Sequence, residues 1–148
     1  MTDEKWMQLA LEQAQMAADE GETPIGAVLV ENGVLLAAAH NHREHKNDIT
    51  SHAEIEAMRL AATQKGDWRM NDCTLYVTLE PCPMCAGAIL AARVGRVVFG
   101  AKDATAGAMG SVLNLPRFTL GAHTKVECGV LEEPCRVILQ SFFQSKRT

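Results

Sequence analysis

One stretch constrains the chain more than any other. His52-Ala53-Glu54 is followed, after 27 intervening residues, by Cys82-Pro83-Met84-Cys85. An imidazole and two thiolates are usual protein ligands of zinc, and Cys-x-x-Cys spacing lets both sulfurs reach one ion. Any fold of this chain must therefore bring His52 beside the Cys82–Cys85 turn. Three ligands leave a fourth position, which a structural site closes with protein and a catalytic site keeps open for water. Glu54 lies two residues from His52, close enough to reach such a water without binding the metal. The sulfurs left to close the site are Cys73, Cys128 and Cys135. Cys73 falls at the far end of the strand leading to Cys82, roughly 20 Å or more away if extended. Cys128 and Cys135 lie far along the chain. All three read as core cysteines, which leaves an open metal site with a carboxylate beside it.

The rest of the chain is patterned as alternating helices and strands. Asp3 to Glu20 carries apolar residues at helical spacing, with acids on the other side and Gly21 as its stop. Pro24 to Val30 and Val34 to Ala39 read as strands of a hairpin around Glu31-Asn32-Gly33. Both are apolar on two faces, so the sheet should be covered on both sides. His42 to Thr50 reads as a polar loop, and Thr50 or Ser51 as the cap of a helix running to about Lys65, stopped by Gly66. Leu75 to Leu79 is a short strand, and Pro81-Cys82-Pro83 turns it into a helix. Val94 to Gly100 follows as the next strand, completing a βαβ unit with parallel strands. A glycine-rich loop from Lys102 to Ser111, a weaker strand from Val126 and a last helix from Pro134 to Ser145 complete the chain. The expected architecture is α/β, a five-stranded mixed sheet flanked by helices.

With 148 residues, 47% hydrophobic and 22% charged, the chain suits one soluble domain that needs no disulfide staples. It shows no signal-peptide pattern, and its longest apolar run, Met84 to Ala92, is far too short for a bilayer. An odd number of cysteines, five, with two committed to metal, argues for a reducing, cytoplasmic setting. The net charge of −4 is unevenly spread. The first 22 residues hold six acids and one base, so the remaining 126 sum to +1 and leave room for a basic face.

On this layout both ligand groups start helices, where free N–H groups and the helix dipole favour anions, so Cys82 and Cys85 should ionise easily. Zinc on these ligands would lower the pKa of its bound water toward ~7. Glu54 can take that proton, hand it to a ring nitrogen and later protonate leaving ammonia, as hydrolytic deamination requires. Asn41, at a strand end, presents its amide to a base edge or serves as a turn residue. Phe142 and Phe143 with Lys146 and Arg147 either stack on and steer a single-stranded RNA or form the apolar face of the final helix. Met84 to Ala92 is apolar all round, which points to burial on every side and a subunit interface.

His-x-Glu with Pro-Cys-x-x-Cys resembles the signature of zinc-dependent nucleobase deaminases. The chain is similar to the cytidine and deoxycytidylate deaminase superfamily, and within it to the bacterial tRNA-specific adenosine deaminases. The likeness covers nearly the whole chain. It runs through Pro24 to Val30, His40-Asn41, Thr74 to Ala88 and Gly95 to Ala101, then Asp103, Gly107-Ala108 and Gly110-Ser111. It ends at Gly129-Val130-Leu131, Cys135 and Phe142-Phe143. The Gly-Ala-x-Asp…Gly-Ala-x-Gly-Ser loop points to the tRNA branch. The resemblance implies a three-layer cytidine-deaminase-like fold and a homodimer converting the wobble adenosine of a tRNA anticodon to inosine. It implies zinc on His52, Cys82 and Cys85, proton shuttling by Glu54 and base contact by Asn41. Ala53, Asp103, Phe143, Lys146 and Arg147 complete the residues expected to meet substrate. Asp103 is the candidate for sensing a ribose 2′-hydroxyl, or else caps its turn. The chain departs from the family at Ala106, usually threonine, in the charged, histidine-rich loop His42 to Asp48, and at Pro134, where an acid is usual.

Two other classes fit the same motif. One is a free-base or nucleotide deaminase, for instance of guanine. The other is a non-catalytic zinc-binding module, against which Glu54 argues, since a structural site needs no proton shuttle.

Overall fold

The chain folds as α1 (Asp3–Asp19), β1 (Gly26–Glu31), β2 (Val34–His40), α2 (Arg43–Lys46), α3 (Ala53–Lys65), β3 (Cys73–Leu79) and α4 (Pro83–Ala91), then β4 (Arg96–Ala101), a 3-10 turn (Leu115–Arg117), β5 (Lys125–Cys128) and α5 (Glu132–Arg147). These elements come from a computed structural model that describes residues 1–118 and 123–147. The sheet has the order β2-β1-β3-β4-β5. β1 is antiparallel to both its neighbours, while β3, β4 and β5 run parallel, which makes the expected mixed sheet.

Alternate residues of the strands feed two separate cores, which sets the three layers. Ala27, Leu29, Leu75, Val77, Val97 and Phe99 pack with Ala57, Ala61, Ala86 and Ile89 under α3 and α4. Val28, Val30, Tyr76 and Val98 face Trp6, Met7 and Ala10 of α1 and Cys135 of α5. A side-chain period of two makes this separation automatic once register is set. The β1–β2 turn is tight because Asn32 and Gly33 both take positive φ, 50° and 77°, as a two-residue hairpin loop requires. Gly100 lets α5 press onto β4, since a Cβ there would overlap Cys135.

Several local expectations change. The segment from His42 to Thr50 contains helix α2, held because buried Glu22 accepts the backbone N–H groups of Glu44 and His45 at 3.1 and 2.8 Å. α3 is capped by neither Thr50 nor Ser51. His52 is its N-cap, with extended backbone, and Thr50 instead donates its hydroxyl to Asp48 at 2.7 Å. α5 begins at Glu132, two residues before Pro134, because two acids suit the positive helix end and proline is tolerated in the first turn. β2 is not covered throughout: Val34 and Leu35 are exposed where the edge strand outruns the helices. α4 buries Cys85, Ala86, Ile89 and Leu90 but leaves Pro83 and Ala91 exposed and Ala88 half-buried, so the chain itself covers only one side of it. Cys73 and Cys135 are core residues as expected, whereas Cys128 is exposed at the end of edge strand β5. No helix among the described residues is long and apolar enough to cross a membrane.

One ion-pair network ties the start of α1 to the sheet. Arg96 donates to both oxygens of Asp3, at 3.0 and 2.6 Å, and also to Glu127, while the Tyr76 hydroxyl donates to Asp3 at 2.7 Å. The Arg96 guanidinium beside Asp3 holds its carboxyl below the usual range, more than burial raises it. A depressed carboxylate stabilises the fold above its unfolded pKa, and that contribution disappears as pH falls through the folded value. Asp3→Asn should therefore cost about 0.5–1 kcal/mol at neutral pH. In paired urea titrations the gap from the unsubstituted protein should narrow in acid, as pH drops below the ordinary aspartate range.

Candidate metal centre and base pocket

The metal-ligand candidates meet because β3 ends, and α3 and α4 begin, at the same end of the sheet's strands. β3 leaves the sheet through Glu80 and Pro81, and Cys82 becomes the N-cap of α4, with Pro83 in its first turn. Cys85 follows one turn into that helix and is fully buried. His52, the N-cap of α3, turns Nδ1 toward both sulfurs, 3.7 Å from Cys82 Sγ and 3.4 Å from Cys85 Sγ. Among the described residues these three ligand atoms form a cluster in which all lie within 4.8 Å of one another. Zinc–sulfur and zinc–nitrogen bonds of usual length at a tetrahedral centre put N and S about 3.6 Å apart. The donor set and its spacing therefore fit a zinc ion without rearrangement.

The side chains distribute their protons unequally. A hydrogen bond from Cys85, together with the His52 imidazole, lowers the Cys82 thiol to about 4, against the opposing effect of burial. Cys85 is pushed the other way, because it donates to that thiolate and is buried beside Glu54. Of the two thiols expected to ionise, Cys82 is the one its protein surroundings favour as thiolate. The second proton is the kind released when a divalent cation binds. Glu54, only 3% exposed, is lifted to about 7 by burial, which outweighs the help of nearby His52. A carboxyl poised there can take and return a proton near neutrality.

A cavity of about 160 Å³ opens onto this cluster, lined by Ile25, His52, Glu54, Glu80, Asp103 and Ala106, among others. Asp103 lines the wall and also does what a turn residue does: its Oδ1 accepts the N–H groups of Thr105 and Ala106 at 3.0 and 3.2 Å. Asn41 is buried at the end of β2, its N–H donating to Ile25 at 3.2 Å, and its side-chain amide has no hydrogen-bond partner among the described residues. Ala53, the first residue of α3, is fully buried behind the ligands. Phe143 and Lys146 are not brought to the cavity; they lie exposed on the last turns of α5, where Phe143 meets Phe142 edge-on. The side chain of Arg147 lies outside the described residues.

Glu80 is the cavity residue that sequence patterning missed. It is 2% exposed, and its two oxygens accept the N–H groups of Asp103, Met109 and Ser111 at 3.0–3.1 Å and the Ser111 hydroxyl. Burial would raise its pKa, but these donors outweigh it and hold the carboxyl below its ordinary value. Gly107 makes room for the arrangement, since a Cβ there would overlap the Glu80 carboxylate and the Asp103 carbonyl. The available signal was an acid closing a buried apolar strand directly before Pro81-Cys82, with the Gly-Ala loop to follow. Glu80→Gln, which swaps acceptors for an amide donor, should cost about 1–3 kcal/mol in denaturant unfolding. The same substitution should speed hydrogen exchange at Asp103, Met109 and Ser111.

The chain belongs to the family described as MafB19-like deaminase, which it matches over residues 1–147. It is 47% identical over 146 residues to a tRNA-specific adenosine deaminase of Bacillus subtilis, covering 98% of this chain and 91% of that protein. The fold superimposes with a TM-score of 0.88, at 41% identity, on a structure from work on A-to-I editing by tRNA deaminases at the wobble position, covering 91% of this chain and 99% of that one. It also superimposes on a guanine deaminase from Nitrosomonas europaea, with a TM-score of 0.80 at 26% identity, covering 94% of this chain and 83% of that one.

Proposed function

We propose that the protein hydrolyses the wobble adenosine of a tRNA anticodon loop to inosine and ammonia, with one zinc per chain held by His52 Nδ1, Cys82 Sγ and Cys85 Sγ. The observation that carries the reading is a buried carboxyl, Glu54, opening with the His–Cys–Cys cluster into one small cavity. The 47% identity to a tRNA-specific adenosine deaminase supports the substrate. Zinc, when bound, supplies Lewis acidity and makes water acidic enough to be a nucleophile near neutral pH. Glu54 takes the proton of the attacking water, passes it to a ring nitrogen of adenine, and later protonates the departing amino group. Oxygen bonds to C6, the C6–N bond breaks and ammonia leaves. The cavity lies below the range of about 300–1,000 Å³ that admits drug-sized ligands, so a single ring system enters and the rest of the RNA stays outside. A base splayed from a single-stranded loop meets that demand, whereas a stacked one does not.

Asn41, whose backbone bonds to Ile25 of the cavity wall and whose amide is unpartnered among the described residues, contacts the base edge, and Ala53 backs the ligands. Asp103 keeps one carboxylate oxygen free of its turn and takes the ribose 2′-hydroxyl. Lys102, Phe143, Lys146 and Arg147 meet the RNA outside the cavity, where cations neutralise phosphates. A tRNA substrate and five free cysteines fit a cytoplasmic setting.

The test is a substrate panel: an anticodon stem-loop with a wobble adenosine, its DNA counterpart, free adenosine, cytidine and guanine. Inosine from the RNA hairpin alone is the expected result. Glu54→Ala should retain zinc while losing at least about a hundredfold in rate. The superposition on a guanine deaminase favours a free purine as the second reading. Rapid ammonia release from guanine with the hairpin untouched would establish it instead.

The protein works as a homodimer in this proposal. An apolar groove of about 370 Å³ runs between α3 and α4, lined by Ile55, Met58, Ala62, Trp68, Ala88 and Ala91. Trp68 is half-exposed there, a feature more typical of interfaces than of free surface. Ala91→Asp, at an exposed position, should leave thermal stability near that of the parent under dissociating dilution. Light scattering of this variant should read the 16.1 kDa monomer where the parent reads twice that mass.

A further inference from the structure

The histidine-rich segment after β2 builds a second cluster away from the cysteines. Among the described residues, Glu20, His40 and His42 each offer a ligand atom, and these atoms lie within 4.8 Å of one another. Three elements supply them: Glu20 is the C-cap of α1, His40 the last residue of β2, and His42 the N-cap of α2. The Glu20 carboxylate lies 3.1 and 3.2 Å from His40 Nε2 and 3.7 Å from His42 Nε2. At a tetrahedral centre with bonds of about 2.05 Å, nitrogen and oxygen ligands sit about 3.3 Å apart. The cluster has that spacing.

The surroundings of the two rings also suit a cation. His40 Nδ1 is hydrogen-bonded to Gln13 Oε1 at 2.9 Å, which fixes the ring with Nε2 toward Glu20. Orientation of a ligating imidazole by a hydrogen bond from its other nitrogen is the usual device of metal sites. The His42 ring shows the complementary sign. Neither of its nitrogens makes a hydrogen bond among the described residues, and Nδ1 is buried without a partner. The two rings lie 4.3 Å apart between centroids, tilted by 38° to one another. Side-chain exposure rises from 7% at His40 to 27% at His42 and 39% at Glu20, so the cluster is fixed at its base and open on one side.

We propose that Glu20, His40 and His42 form a second divalent-metal site, of the two-imidazole, one-carboxylate type that takes zinc or its late first-row neighbours. Occupancy clamps the end of α1, the end of β2 and the start of α2 together around Asn41, which lies between the two histidines in sequence. The site differs chemically from the first in having no sulfur. Metal there strengthens the fold without adding a thiolate to the coordination sphere.

Cobalt(II) reads the two sites separately, because thiolate ligation gives intense near-ultraviolet charge-transfer absorption and an imidazole–carboxylate site gives only weak visible bands. The holoprotein, reconstituted with one cobalt(II) per chain, is titrated with further cobalt(II) at micromolar free concentration. The expected result is a second bound equivalent per chain, no added charge-transfer intensity, and a rise in melting temperature. Glu20→Gln and His42→Ala, both at partly exposed positions, should each weaken that second equivalent at least about tenfold. The first equivalent and its charge-transfer band should stay intact in both. Failure to bind a second equivalent would overturn the proposal. So would a second equivalent that either variant holds as tightly as the parent.

Discussion

The parallel pairing of β3 with β4 governs where everything else can stand. Parallel neighbours cannot be joined by a tight turn, so the chain between them has to cross the sheet as a helix. α4 therefore begins where β3 ends, and its N-cap Cys82 and first-turn Cys85 are delivered to that end of the strands. α3 runs back over the same face from the end of β2 to the start of β3, so its N-cap, His52, arrives at the same end of the sheet. Antiparallel β1 contributes its beginning there, through Ile25. An arrangement that looks specialised for metal thus follows from one choice of strand direction.

Two buried carboxyls share the cavity and behave oppositely, and hydrogen bonding decides which way each goes. Glu54 has little to offset its burial and rises to about 7. Glu80 faces three backbone N–H groups and a hydroxyl, which hold it ionised despite burial. Environments that push two like groups apart mark a division of labour. In the proposed mechanism the first exchanges protons, while the second holds the wall of the site in place.

The legible parts of the sequence were those set by local chemistry. Proline before a helix, glycine after one, alternating apolar runs and the Cys-x-x-Cys spacing each carry their own physical reason, and the sheet, its βαβ unit and the metal cluster follow them. Less legible were features fixed by partners distant in sequence. α2 looked like a loop because its stabilising carboxylate, Glu22, lies some twenty residues upstream. Ser51 looked like a better cap than His52, because propensity cannot register that an imidazole is needed elsewhere. Glu80 was assigned no role, since its four donors lie in a loop more than twenty residues on. The apolar circumference of α4 is covered by the chain on one side, while the other side faces outward.

The grip of Glu80 on the 102–111 loop has a consequence for how such a site can diversify. Three of its four donors are backbone N–H groups, which nearly every amino acid possesses. The loop's path is therefore largely indifferent to the side chains it carries, provided Gly107 stays small. Ala106, whose side chain meets the cavity, stands at a position that can be exchanged while the wall behind it keeps its shape. Substrate choice can drift by single replacements on a frame that does not have to be rebuilt each time.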